Sequence, residues 1–208
     1  MAQDKENSFA DEQEFNDFTS LKGHFLLAMP SVESGVFSGS VVYMFDHSPD
    51  GAAGVIINRP TDVELTELVD RFELEASDDL TAQWVFFGGP VQPMRAFVLH
   101  PQLAADDAAG EAVEVEVEQK QEVLELNDSR DILQDYLLGQ GPEKAFICFG
   151  YAGWDGGQLE QELHQNVWLT IPADHELIFK HPVHDRYRAA LAILGVEFSN
   201  LSSQIGHA

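Results

Sequence analysis

The chain has 208 residues, 44% of them apolar, with 36 acidic against 11 basic side chains and a formal net charge of −25. That length and apolar share suit one domain with a core that needs no covalent staples. The charge argues against a general binder of DNA or RNA, whose phosphates demand neutralising cations. Arg59, Arg71, Arg95, Arg130, Arg186 and Arg188 are scattered along the sequence rather than clustered. No apolar run reaches membrane-spanning length, and no basic segment followed by an apolar stretch marks a signal peptide. Cys148 is the single cysteine, so no intramolecular disulfide can form, and a cytoplasmic location is expected.

Residues 1–20 carry six acids and one lysine and read as a disordered acidic tail, leaving 21–208 as a single domain whose order is expected from Gly23. His24 to Met29 reads as a buried strand ended by Pro30, and Ser40 to Phe45 as a second. Ser48-Pro49-Asp50-Gly51 has turn composition. Gly54 to Asn58 is a third strand, stopped by Arg59-Pro60. Leu65, Leu68, Val69 and Phe72 then recur at helical spacing, with Thr61 and Glu64 at capping-box distance before them. Strands follow at Trp84 to Phe87 and Ala96 to Leu99, separated by Gly88-Gly89-Pro90. Glu111 to Glu118 alternates valines with glutamates as a half-wet strand does, and Val123 to Leu126 is its expected partner. A helix from Ser129 to Leu138 ends at Gly139. The apolar run Ala145 to Phe149 is expected to break at Gly150-Tyr151-Ala152-Gly153-Trp154 before a helix from Gly157 to Asn166. A short strand at Trp168 to Ile171 and a last helix from His184 to Leu194, with Tyr187, Leu191 and Leu194 on one face, complete the chain. Many strands with interspersed helices and no regular alternation predict an α+β domain.

Several pieces occur together in a fixed order: His24-Phe25-Leu26-Leu27-Ala28-Met29-Pro30, Asp46-His47, Gly54-Val55-Ile56-Ile57-Asn58-Arg59-Pro60, Gly88-Gly89-Pro90-Val91, Gly150-Tyr151-Ala152-Gly153-Trp154, Gln158-Leu159-Glu160-Gln161-Glu162 and Gly206-His207-Ala208. From Leu21 to Ala208 the chain thereby resembles the AlgH/YqgE family of bacterial proteins. The resemblance implies a mixed, branched β-sheet closing partly into a small barrel flanked by helices. It brings a proposed regulatory role, including the label of transcriptional regulator, and no catalytic mechanism. Met44-Phe45-Asp46 stands where relatives commonly carry a cysteine and a glutamate, so no redox role of that cysteine carries over.

Six residues are candidates for a binding surface. Asn58 and Arg59, at a strand exit, could hold a phosphate or carboxylate, although capping and ion pairing explain them more simply. Gly88 and Gly89 could offer backbone N–H groups to an anion, but they lack the lysine and hydroxyl of a phosphate loop, and a tight turn is the plainer reading. Tyr151 and Trp154 could stack on a ligand or anchor a partner, or fill the core; glycines around them leave both readings open. No catalytic set emerges. Glu160 and Glu162 point different ways on a helix, Cys148 has apolar neighbours, and no serine occupies a nucleophile elbow. The eight histidines lack metal-ligand spacing, so neither metal nor cofactor is expected. The primary reading is therefore a non-enzymatic cytoplasmic binding or regulatory protein with a protein or small-molecule partner; the rival is an enzyme or binder acting on a small anionic metabolite. The sequence fixes no oligomeric state.

The acidity has two explanations: a surface matched to high salt, where self-repulsion is screened, or ordinary acidic solubility. Melting temperature against potassium chloride separates them. A high-salt surface predicts a clear rise between low and molar salt, and a flat profile eliminates it.

Overall fold

A computed structural model describes residues 18–32, 35–77, 83–102 and 124–195. The strands are β1 (His24–Ala28), β2 (Val41–Ser48), β3 (Gly51–Ile56), β4 (Pro60–Glu64), β5 (Trp84–Phe87), β6 (Val91–Pro101), β7 (Leu124–Asn127), β8 (Phe146–Asp155) and β9 (Trp168–Pro172). The helices are α1 (Leu65–Arg71), α2 (Arg130–Leu137), α3 (Gln158–His164), α4 (His175–Phe179) and α5 (Arg186–Ile193), the last entered through a 3-10 turn at Val183–Asp185. The expected strand at 111–118 and its pairing lie outside the described residues. No helix among the described residues is long and apolar enough to cross a membrane.

The strands form one mixed sheet in the order β4-β5-β8-β3-β2-β1-β9, from which β6 and β7 branch at β8. Among the described residues only β5 and β8 run parallel; the other pairings are antiparallel. The α+β class and the branching agree with expectation, but the sheet does not close into a barrel. Among the described residues β4 and β9, the ends of the path, do not pair. The branch explains this, because β6 and β7 leave along one edge of β8 instead of curling back to join the ends.

Local chemistry accounts for most elements. Apolar runs make β1, β2 and β3 strands buried along most of their length, and Ser48 pairs with Gly51 across a two-residue loop of Pro49 and Asp50. Ser129 accepts a hydrogen bond from the Asp131 N–H to cap α2, and Gly139 leaves it at φ +71°. Helix α1 begins three residues later than its expected capping pair. Thr61 sits in β4 and donates to the Val85 carbonyl at 2.7 Å, while Glu64 is the cap residue and its N–H donates to Glu67 at 3.3 Å. Pro60 thus opens a strand instead of ending one, a position where its missing N–H costs little. In α5, Leu194 lies outside the apolar face and is exposed, whereas Arg186, Ala190 and Leu191 are buried.

The chain is already placed before Gly23. The Phe18 ring lies 4.8 Å from that of His47, Ser20 donates to the His47 carbonyl at 2.9 Å, and the Leu21 N–H donates to His47 Nδ1 at 2.8 Å. With Nδ1 accepting, Nε2 carries the proton and donates to Glu160 at 2.8 Å.

Strand β8 differs most from expectation. It does not break at Gly150 but runs through it to Asp155. Phe146 and Cys148 face one cluster with Tyr151, although 148 and 151 differ in parity; Ala152 and Trp154 face the opposite cluster. Gly150 adopts φ +69°, which shifts the alternation by one residue without ending the strand. Across from it, Val91 pairs with Tyr151 and Ala96 with Phe149, so Gln92 to Arg95 bulge out opposite Gly150 alone. A Cβ at Gly150 would stand 2.4 Å from the Gly89 carbonyl oxygen and 2.7 Å from that of Val91. Replacing Gly150 with alanine therefore combines a left-handed backbone, about 1–2 kcal/mol, with a clash against backbone that cannot move aside. Gly157, at φ +77° with nothing within 4 Å of a Cβ, meets only the first cost. Urea denaturation should show Gly157→Ala losing roughly 1 kcal/mol and Gly150→Ala several times more; equal losses would contradict this account.

Candidate functional site

The six candidate residues occupy three separate settings. Asn58 Oδ1 accepts from the Val41 N–H and Nδ2 donates to the Gly39 carbonyl, both at 2.9 Å, while Arg59 Nη2 donates to the Ser38 carbonyl at 2.7 Å. Both side chains thus hold the backbone that enters β2. Gly88 and Gly89 connect β5 to β6, and the Gly88 N–H is taken by the Phe149 carbonyl at 2.8 Å. Their missing side chains allow close approach, since a Cβ on Gly89 would lie 2.2 Å from Tyr151 backbone.

Tyr151 and Trp154 lie on opposite faces of β8. Tyr151 packs edge-on against Phe45 and Phe97. Trp154 is 6% exposed, stacks on Phe37 and meets Trp168 edge-on. Glu162 Oε2 accepts from both indoles, at 2.9 Å from Trp154 and 2.7 Å from Trp168, while its Oε1 accepts from Gln158 at 3.0 Å. One carboxylate thus satisfies two buried donors. Tyr151 and Trp154 border a shallow groove of about 430 Å³ with Asp46, Asp50 and Asp155, and none of Asn58, Arg59, Gly88 or Gly89 lines it.

Among the described residues no three His, Cys, Asp or Glu side chains are grouped to hold a metal ion. Burial pushes the Cys148 thiol well above its ordinary pKa, so it behaves as a small hydrophobe. His100 is buried, with Nδ1 2.8 Å from the Pro101 carbonyl and Nε2 without a partner. Asp155 does not cap α3 with its side chain; Gly157 is the cap residue at φ +77°, and Gln158 reaches back to the Asp155 N–H at 3.1 Å.

Two other clefts carry features that no local sequence pattern announced. The first, of about 440 Å³, lies between the Gln92–Arg95 bulge, the end of α1 and the start of α2. Phe72, Leu74, Pro93, Ala96, Val98 and Leu133 form its walls. Met94 is 73% exposed beside it. Arg95 pairs with Asp128 at the rim, and Arg130 donates to the Phe72 and Glu73 carbonyls at 2.8 and 3.2 Å. The second, of about 400 Å³, contains Arg186. The nearest sequence signal for the first was Met94 between proline and arginine; the second had none, since Arg186 and Arg188 look alike in the sequence.

The AlgH-like family model matches residues 25–199. A UPF0301 protein from Paraburkholderia phymatum is 44% identical over 194 residues, covering 93% of this chain and 98% of the relative. One from a Polaromonas species is 45% identical over 190 residues, covering 91% and 96%. The solution structure of the AlgH protein from Pseudomonas aeruginosa superposes with a TM-score of 0.66 at 40% identity, covering 91% of this chain and 97% of that one. A crystal structure of a Corynebacterium diphtheriae protein, 22% identical with a TM-score of 0.60 and covering 89% and 94%, shares the fold. The order of motifs, the branched sheet and these matches agree: the chain belongs to the AlgH-like family.

Proposed function

We propose that this protein is a non-enzymatic cytoplasmic binding protein that acts in regulation by taking a segment of a partner protein into the cleft beside Met94. The observation that supports this reading is the cleft itself: about 440 Å³, walled by apolar side chains and flanked by a methionine that is 73% exposed. Exposing a large apolar side chain next to an unfilled apolar cleft forfeits burial at about 25 cal/mol per Å², which a partner's side chain recovers. Methionine adapts its shape to what it touches, and methionine and arginine are both enriched at protein contacts. Two arginines, Arg95 and Arg130, against one aspartate, Asp128, suit a segment with a large apolar anchor followed by a carboxylate. A second copy of this chain is a poor occupant, because two chains of charge −25 repel each other. The same charge makes regulation through protein contact a better reading than direct DNA binding. The buried Cys148 thiol suits a reducing compartment.

A photoreactive benzoylphenylalanine at Met94, in living cells, should give a discrete protein adduct that the same group at exposed Thr66 does not. The captured protein, purified, should bind the wild type and lose about tenfold affinity, roughly 1.4 kcal/mol, against Met94→Asp or Arg95→Glu. No adduct, or affinity unchanged in both variants, would overturn the proposal.

A further inference from the structure

Among the described residues Arg186 is the one arginine or lysine that is buried. It is 5% exposed, and no carboxylate lies within salt-bridge range of it among the described residues. In a chain where acids outnumber bases 36 to 11, a buried base without an acid beside it is informative. Arg95, Lys180 and Arg188 each found an acid, and Arg188 stands only two residues away, paired with Asp185 at 2.6 Å. Arg186 instead donates from Nε to the His181 carbonyl at 3.2 Å and from Nη1 to the Ile57 carbonyl. Its guanidinium lies 5.2 Å from the centre of the Phe86 ring and 5.8 Å from that of Phe146. Those contacts orient the group and partly offset its burial without neutralising it. Burial lowers its pKa to about 10, which leaves it a cation at neutral pH.

A guanidinium has five N–H donors, and the two hydrogen bonds leave Nη2 without a described acceptor. Nη2 is also not among the buried nitrogens sealed from solvent, and Arg186 lines a cleft of about 400 Å³. Five aromatic side chains, Phe86, Phe146, Phe179, Tyr136 and the 51% exposed Trp84, line the cleft together with Gln83 and other polar groups. Lys144 and Glu143 stand exposed at the rim.

We propose that this cleft is a binding site for a small aromatic carboxylate, whose carboxylate is received by Arg186 and whose ring lies among Phe86, Phe179 and Trp84. The planar fork of an arginine matches a carboxylate, and held in place by two carbonyls and two rings it loses little freedom when it binds one. An uncompensated buried cation gains more from an anion than a solvated one does. With Lys144 and Glu143 of opposite charge at the rim, the one buried guanidinium favours a monoanion over a phosphate dianion. The aromatic walls favour a flat ring over a flexible chain. This site is separate from the cleft beside Met94 and stands whether or not that cleft takes a partner.

The test uses the full-length protein with 2-naphthoate as probe, followed by titration calorimetry and saturation-transfer NMR. Binding of 2-naphthoate with at least tenfold weaker binding of the neutral 2-naphthamide is expected. Arg186→Lys should weaken 2-naphthoate at least tenfold with the amide unaffected. Because Arg186 also braces β3, Arg186→Lys could fail to fold, so exposed Glu143→Lys provides a second arm and should tighten 2-naphthoate about threefold by removing a rim acid. Trp84→Ala should weaken both compounds. No binding of 2-naphthoate, equal binding of acid and amide, or an affinity unmoved by Glu143→Lys would each overturn the proposal.

Discussion

The backbone crossing at Gly150 is the constraint on which the rest of the structure depends. There β8 touches β6 and the strand-linking Gly89 at distances that leave no room for a methyl group. Its left-handed φ slips the alternation of β8 by one residue, so the strand serves one core with Phe146 and Cys148 and continues to serve it with Tyr151. On the other face Ile147 belongs to the cluster under α1 and α2, while Ala152 and Trp154 belong to the cluster under α3. One strand can therefore organise three apolar clusters because one residue changes its phase. The same crossing forces Gln92 to Arg95 outward, since four residues must span what one spans opposite. The exposed methionine and the rim arginine of the first cleft are consequences of that arch. A glycine fixed by packing thus shapes a surface that lies outside the core.

The interior follows a second rule: among the described residues, the buried side-chain nitrogens and oxygens other than His100 Nε2 have hydrogen-bond partners. Glu162 answers two indoles and a glutamine, Asn58 answers both sides of the Gly39–Val41 backbone, and His47 answers the Leu21 N–H on one nitrogen and Glu160 on the other. In each case a residue that looks functional in isolation is consumed by structure. Trp154 is the clearest example: its one donor is spent on Glu162, and its ring is enclosed by Phe37 and Trp168.

What was legible in the sequence followed from local regularity. The apolar runs of β1, β2, β3, β5 and β9, and the cap and glycine stop of α2, announce themselves within a few residues. The errors share one cause, namely long-range contacts that override local signals. Gly150 reads as a terminator, and only the neighbouring backbone of Gly89 and β6 makes it a kink within a strand. Thr61 and Glu64 have the spacing of a cap, but β5 offers Thr61 a carbonyl and draws the segment into the sheet. Helix α4 is five residues long, too short for a period to show. The pairing of Trp154 and Trp168 through Glu162 follows no sequence period, since it needs β8, α3 and β9 in place together. Arg186 and Arg188 are indistinguishable in sequence, and only the fold decides that one is buried and the other paired at the surface.

Charge supplies the last step. A chain of net −25 presents acids almost everywhere, and the groove beside Tyr151 follows that pattern with Asp46, Asp50 and Asp155. The two deeper clefts reverse it. Among the described residues, Arg95 and Arg130 line one with Asp128, and Arg186 and Lys144 line the other with Glu143. Screening over about 8 Å at physiological salt confines each side chain's field to its own neighbourhood, so the local excess of positive charge governs what a bound group meets there. Low-dielectric walls of apolar and aromatic side chains strengthen that field further. With so few bases available, placing four of them around two apolar hollows leaves the rest of the surface strongly acidic. The binding proposed for those hollows rests on that contrast.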